Sequence, residues 1–455
     1  MVKISIIGAG SVVFSCSFVR DLCLTKSLWG SIVYLMDIDK ERLETVYRIA
    51  TRYRDEVGAD LDIRATLNRR EALEGADFVI CTVKVGGYEP MEAERRIAEQ
   101  HGYYRGIGDR VSDYYGGFAA YHQLKFFLEL AMNMEELCPD AWLIETANPV
   151  FEGATLISRE TKIKVVGVCH GHFGYKIIAG ILGLNSEEVN AQMAGFNHCI
   201  WLTHFLYRGK NAYPLIDEWI EKKAPTYWRS EMYLRGAPWM TEQLSPAAVE
   251  MYRLYGLFPI GDTVRSVSPW WFHTNLKVKR KWFGPTGGFD SEIGWTLYLN
   301  SLKENLKRMI EAAKDPSIQL TSIFPPVMSG EQHIPIIDAI VNDKETKLQL
   351  NVPNKGAIDG IPDNVVVEVP VIVSGRGIQP IYIGSLPRRL MLHVMIPRML
   401  RMEQILQAFL EGDRKSLLLM LMEDHRTKSF ENAKSLIDAI LTQPWNSDAA
   451  KHYKW

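Results

Sequence analysis

The chain has no surplus of charge. Its 52 Lys and Arg stand against 54 Asp and Glu, a net −2 over 455 residues, which excludes the broad basic surface that holds nucleic acid or an anionic membrane. Long apolar runs are missing as well. Nothing approaches the ~20 consecutive apolar residues that span a bilayer, and Ser5, Gly8, Gly10, Arg20 and Asp21 interrupt the N-terminus where a secretory leader would stay apolar. A cytoplasmic protein without a membrane partner is expected. The six cysteines, at 16, 23, 81, 138, 169 and 199, have no paired spacing. That argues against a disulfide framework and a closed four-ligand zinc site, and for free thiols. Internal repeats and low-complexity linkers are also absent. A chain of this length buries more than one core, so two lobes sharing a broad interface are expected.

What is present begins at Ile4. The stretch Ile4-Ser5-Ile6-Ile7-Gly8-Ala9-Gly10-Ser11 reads as a β-strand ending in a Gly-x-Gly turn ahead of a helix. Gly8 supplies a tight turn, Gly10 lets the backbone approach a pyrophosphate, and the following helix points N–H groups at that charge. The third glycine of the dinucleotide fingerprint is missing, with Val13 in its place. Tyr34 to Asp39 reads as a second strand ending in acids, and Asp37 stands where a ribose-binding carboxylate belongs. An acid there repels a 2′-phosphate, so NAD is favoured over NADP. Gly8, Gly10, Ser11, Asp37 and Val83, the last at the end of a later strand, are the candidate cofactor-binding residues. The same glycines also fit a plain strand-to-helix turn in any α/β protein.

Strand and helix patterns alternate over the first 200 or so residues. Strands are predicted over Ile4 to Ile7, Ile32 to Met36, Ile63 to Thr66, Phe78 to Val83, Ala141 to Thr146 and Val165 to Val168. Phe14, Phe18 and Leu22 share helical spacing, as do Leu43, Val46, Tyr47 and Ala50, and Gly117 to Leu137 reads as a long amphipathic helix. The pattern predicts an α/β fold, a Rossmann-like doubly wound parallel sheet whose ligands sit at the C-terminal strand ends. Four turns lie there: the Gly8 loop, Val85-Gly86-Gly87, Thr146-Ala147-Asn148-Pro149 and Cys169-His170-Gly171-His172. Past Asn190 the regular order stops. Trp201 to Tyr207 and Val365 to Val373 read as strands, Ser291 to Lys314 and Pro397 to Leu410 as helices. An NAD-binding domain over 1–197 and an α+β substrate-binding and oligomerisation domain over 198–455 are predicted.

Cys169 follows a predicted strand in the crevice region, and His198 precedes the run at Trp201. A thiolate and an imidazole bind a divalent metal and leave positions open for catalysis. A buried free cysteine and a core histidine fit the same two residues.

Taken together, Gly8-Ala9-Gly10-Ser11, Met36-Asp37-Ile38-Asp39, Ala147-Asn148-Pro149, Cys169-His170-Gly171-His172, Gly195-Phe196-Asn197-His198 and Gly261-Asp262-Thr263-Val264-Arg265 resemble glycoside hydrolase family 4. The resemblance runs in order through nearly the whole chain. It implies an enzyme that hydrolyses glycosides with NAD and a divalent metal, Mn2+ in most members. The Cys-His-Gly run resembles the α-glucosidase branch, as do Val111-Ser112-Asp113-Tyr114-Tyr115, Ser329 to His333 and Pro259 to Arg265. α-Glucosides are therefore the expected substrates, with α-glucuronides, α-galacturonides and α-galactosides as alternatives. Arg105, Arg110 and Arg265 could pair with a uronate carboxylate or with neighbouring acids.

The resemblance also implies a mechanism. NAD oxidises the sugar at C3, the metal held by Cys169 and His198 stabilises negative charge as the C2 proton leaves, and the C1–O bond breaks by elimination; water then adds and the ketone is reduced again. This NAD-dependent family is an exception to two-carboxylate glycoside hydrolysis. Asp262 is the expected base, although some members use a tyrosine and an aspartate here also fits a turn cap. Asp113 is the candidate acid or sugar contact, and Tyr114 and Tyr115 fit a sugar platform or a core. Asn148, His170, His172, Arg265 and His333 are the candidate substrate-binding residues; Asn-Pro also simply ends a strand, and the histidines also fit support roles. A thiolate–imidazole pair intrinsically favours zinc over manganese, so a manganese preference rests on the sugar oxygens. The family resemblance also implies a homodimer or homotetramer. Competing with this is an NAD-linked sugar or hydroxyacid dehydrogenase, or a non-catalytic NAD sensor. The Cys169 and His198 pair separates the first from the others.

Overall fold

The computed structural model describes residues 1–11, 14–105 and 120–455. Val13, Arg110, Val111, Ser112, Asp113, Tyr114 and Tyr115, all singled out by the sequence, lie outside the described residues.

Six short strands, β1 (Lys3–Ile7), β2 (Ile32–Met36), β3 (Asp62–Thr66), β4 (Phe78–Cys81), β5 (Trp142–Glu145) and β6 (Lys164–Gly167), pair in parallel. Their spatial order is 3-2-1-4-5-6, the doubly wound arrangement that opens a crevice where the strand order reverses. The inner strands are apolar because helices cover both faces of a parallel sheet. Ile4, Ile6, Val79, Ile80, Leu143 and Ile144 are all fully buried. Helix α1 (Ser15–Leu24) sets Phe18, Val19 and Leu22 against them. Helix α2 (Lys40–Val57) starts where Asp39 accepts hydrogen bonds from the Glu41 and Arg42 N–H groups, and ends at Gly58 in the left-handed conformation.

The second half of the chain extends the same sheet. Strands β7 (Val189–Phe196), β8 (Cys199–Tyr207), β9 (Lys210–Asn211), β10 (Phe258–Ile260), β11 (Thr346–Pro353), β12 (Val366–Ser374) and β13 (Gly377–Pro380) pair antiparallel. The continuous path runs β10-β8-β7-β12-β11-β6 into the parallel half. Two seams on this path are narrow. β11 meets β6 only at Asn351 opposite Gly167, and β12 meets β7 only at Glu368 opposite Gly195. Both glycines are sterically required: a Cβ on Gly167 would lie 2.5 Å from Val150 Cγ1, and one on Gly195, whose φ is +156°, would lie 2.0 Å from the Cys199 carbonyl oxygen. The segments leaving Gly167 and Gly195 carry Cys169 and His198. Among the described residues no helix is long and apolar enough to cross a membrane.

Candidate active site

β7 turns into β8 through two residues, Asn197 and His198, between the paired Phe196 and Cys199. His198 adopts φ +58°, a conformation costing a side-chain-bearing residue about 1–3 kcal/mol and found where function constrains the chain. The turn carries the buried imidazole to Asp262, with Nε2 3.3 Å from Oδ2. Burial lowers His198 to about 4, so the ring is neutral at pH 7, the form in which an imidazole ligates a cation.

Asp262 follows β10 and precedes the one-turn helix Thr263–Ser266, yet its side chain makes no capping hydrogen bond. Instead Oδ1 lies 2.6 Å from Arg265 Nη2. Burial alone would raise this carboxyl; Arg265, then His198 and His170, outweigh it and hold Asp262 below its ordinary value. Arg265 is buried, with Nη1 2.7 Å from Glu242 Oε2 and its guanidinium 4.3 Å above the Phe289 ring. Glu242 also accepts the Phe289 N–H at 2.6 Å. The arginine is thus engaged by two carboxylates, and Arg105 likewise lies 2.6 Å from Glu99. Both arginines pair with the protein's own acids, one of the two readings the sequence offers for them.

Cys169 leaves the end of β6 half-buried, and its Sγ accepts the Gly171 N–H at 3.4 Å. Burial pushes the thiol well above its ordinary value, with Glu368 and Asp262 adding to the shift. Asn197 donates to Glu368 at 3.2 Å and Asn351 donates to the Gly167 carbonyl at 3.3 Å, closing the two seams around the thiol. Glu368 is raised to about 8 by its burial. Among the described residues no three Cys, His, Asp or Glu side chains converge on one point. Cys169 and His198 each interact with Asp262, and a thiolate and an imidazole are donors suited to a divalent cation that completes its shell with ligand oxygens.

The histidines divide. His170 is exposed, its Nδ1 3.5 Å from Glu331 Oε1, and that contact raises its pKa. His172 is buried and donates through Nδ1 to the Cys169 carbonyl at 3.1 Å, supporting the turn that presents the thiol. His333 has no exposed surface, its Nε2 is 2.5 Å from Thr146 Oγ1, and its ring packs 4.2 Å from Phe18. The expected substrate contact by His333 is thus not exposed in this structure, where the ring instead supports Thr146 and stands 3.8 Å from Glu331. Asn148 emerges beyond β5, its buried Oδ1 without a hydrogen-bond partner among the described residues.

At the end of β1, the Gly8 and Ala9 N–H groups donate to the Met36 carbonyl, and the Ser11 N–H donates to the Gly8 carbonyl. Asp37 accepts the Gly10 N–H at 2.8 Å and the Asp39 N–H at 2.9 Å. A Cβ on Gly8 would stand 2.9 Å from Val83 Cγ2. Gly8, Gly10, Ser11, Asp37 and Val83 thus line one strand-end loop at the switch in strand order. Its half-buried carboxylate and helix-directed turn fit a dinucleotide.

Sequence reasoning missed Glu242, Glu331 and Glu368. A lone acid among the valines of Val365 to Val373 was the signal for Glu368, and Glu331 sat inside a polar run already singled out; nothing marked Glu242.

Known proteins share this fold. An alpha-galacturonidase of Thermoanaerobacterium saccharolyticum is 27% identical, covering 97% of this chain and 95% of that protein. A 6-phospho-alpha-glucosidase from gut microorganisms, solved in complex with NAD and glucose-6-phosphate, superposes with TM-score 0.77 at 19% identity over 100% of this chain and 99% of the other. The 6-phospho-beta glucosidase of Thermotoga maritima, solved with manganese, NAD+ and glucose-6-phosphate, gives 0.75 at 18% over the same shares. Residues 3–184 match the model of the family 4 glycosyl hydrolases and residues 193–427 that of their C-terminal domain, and the chain is a member of family 4 of the glycosyl hydrolases.

Proposed function

We propose that this chain hydrolyses α-glycosides with NAD and a divalent metal, manganese foremost, through proton abstraction at C2 of the sugar. The observation that carries this reading is the approach of His198 to Asp262 beside Cys169, at the mouth of a dinucleotide-type crevice. Gly8, Gly10, Ser11, Asp37 and Val83 hold the dinucleotide; Cys169 and His198 hold the metal. When bound, these groups supply reversible two-electron exchange at C3 and Lewis-acid stabilisation of charge on the sugar oxygens. Asp262, kept ionised by Arg265, accepts the C2 proton. Arg265 orients that carboxylate and is itself fixed by Glu242. Asn148 and His170 bind sugar hydroxyls, and His172 keeps the Cys169 turn in place. Asp113 remains the proposed acid at the leaving group.

The sequence expectation was an α-glucoside. Among the alternatives to it, similarity to an alpha-galacturonidase over almost the full chain supports an α-hexuronide. The lobes divide at 197/198, within the turn that carries His198. Exposed Leu400, Leu410, Leu419 and Met422 on the C-terminal helices support a homodimer or homotetramer, in the cytoplasm.

The test is a panel of chromogenic α- and β-glycosides, assayed with and without NAD+, Mn2+ and thiol while absorbance at the NADH band is followed. Aglycone release that requires NAD+ without accumulating NADH is expected. A dehydrogenase would build up NADH in step with product, and a sensor would release nothing.

A further inference from the structure

A cavity of about 260 Å³ opens at the ends of β4 and β5 and is lined by Lys84, Gly86, Glu94, Gln123, Asn148 and Trp445 among others. Lys84 follows Val83 directly, so it borders both the proposed cofactor wall and the proposed sugar contact Asn148. Its backbone is clamped by Gln123, whose Nε2 donates to the Val83 carbonyl at 2.9 Å while Oε1 accepts the Val85 N–H at 3.0 Å.

The ammonium is poorly compensated. Among the described residues its one hydrogen bond is to the Val85 carbonyl at 3.2 Å. Among the described residues no carboxylate lies within ion-pair distance of it either. Glu94 shares the cavity, but its Oε1 already accepts from Trp445 Nε1 at 2.9 Å and Asn446 Nδ2 at 2.7 Å. Burial lowers Lys84 to about 8, against the attraction of Glu94. The other cations near the crevice are matched: Arg265 by Glu242 and Asp262, Arg105 by Glu99, and Arg95 by Asp290 at 3.0 Å.

A half-buried ammonium with no anionic partner of its own gains from a ligand that supplies one. A neutral sugar offers Lys84 only hydroxyls. A monoanionic carboxylate matches one ammonium. A dianionic phosphate calls for more positive charge than a single lysine supplies, and Glu94 in the same cavity opposes it further.

We infer that Lys84 receives the C6 carboxylate of the bound sugar and so makes this enzyme selective for α-hexuronides over neutral and 6-phosphorylated α-glycosides. The inference rests on the glycosidase reading above and names its specificity residue.

The experiment uses the full chain with NAD+ and Mn2+ on the 4-nitrophenyl α-glycosides of galacturonic acid, galactose, glucuronic acid, glucose and glucose 6-phosphate. The wild type is expected to favour a uronide over its neutral counterpart by about 100-fold in kcat/KM, roughly what one well-placed charged hydrogen-bonded pair is worth. Lys84→Met should bring that ratio near unity, mainly through KM, and Lys84→Arg should retain most of it. In calorimetry, D-galacturonate should bind the wild type more tightly than the Met variant, with NAD+ affinity equal in both. Preference for a neutral or 6-phosphorylated glycoside, with NAD+-dependent turnover intact, overturns the inference and leaves the glycosidase reading standing. Equal losses on uronide and neutral substrate in Lys84→Met, or a raised Kd for NAD+, overturn it in favour of a structural or cofactor role. Failure to cleave any glycoside of either panel overturns both.

Discussion

His198 and Asp262 meet at 3.3 Å between Nε2 and Oδ2, joining the β7–β8 turn to the turn after β10. One carries the metal-ligand candidate and the other the base. Asp262→Asn keeps the size of the side chain and its contact with Arg265 but removes the proton acceptor. We expect kcat to fall about 10²- to 10⁴-fold, the usual worth of a positioned general base, with the Kd for NAD+ unchanged in fluorescence titration.

Cys169 bears on the metal alone. Its thiol is held above its ordinary value by burial and neighbouring acids, so a divalent cation is what would ionise it, with release of a proton. Cys169→Ser is expected to raise the Kd for Mn2+ by about 10-fold or more, by comparison with the effects of altered metal-site groups, read by electron paramagnetic resonance on the protein without substrate. Equal manganese affinity in the two proteins would remove Cys169 from the site.

Asp37 accepts two backbone N–H groups, from Gly10 and Asp39, and still presents a half-buried carboxylate at the end of β2. Asp37→Ala is expected to weaken NAD+ by about 10-fold, or 1.4 kcal/mol, and to narrow the preference for NAD+ over NADP+ because the 2′-phosphate is no longer repelled. Direct titration with both dinucleotides measures this.

Much of the parallel half was legible because apolar β-branched runs buried on both faces have few other structures open to them. Phe78 to Val83 was expected and Phe78–Cys81 is found; Ala141 to Thr146 was expected and Trp142–Glu145 is found. The antiparallel half was harder. β7 is rich in small and polar residues, β10 has three residues including Pro259, and β11 alternates Leu348, Leu350 and Val352 with polar neighbours. Pairing across two one-residue seams sets their position, and no local pattern encodes that. At the site, the motif turns at Cys169, His198 and Asp262 were legible. The burial of His333 and the pairing of Arg265 with Glu242 were not, since both depend on residues tens to hundreds of positions away.

Lys84 gives the specificity a pH signature. Its pKa is lowered to about 8 by burial, and the ammonium is the form that pairs with a carboxylate. KM for the uronide should therefore be flat near neutrality and rise above about pH 8 as the proton is lost, while KM for the neutral glycoside lacks that step. Glu94 and His122 are the other titratable groups lining the cavity. Burial raises Glu94, so its ionisation acts on the acidic side of the profile. Steady-state kinetics on the two substrates from pH 6 to 10 separates the limbs.

Cleavage through loss of the C2 proton to Asp262 is tested most directly by running one turnover in heavy water with NAD+ and Mn2+ and examining the released sugar by proton NMR and mass spectrometry. The expected product carries deuterium at C2, introduced when solvent returns the proton that Asp262 removed. A sugar released at full rate with protium at C2 would contradict the mechanism.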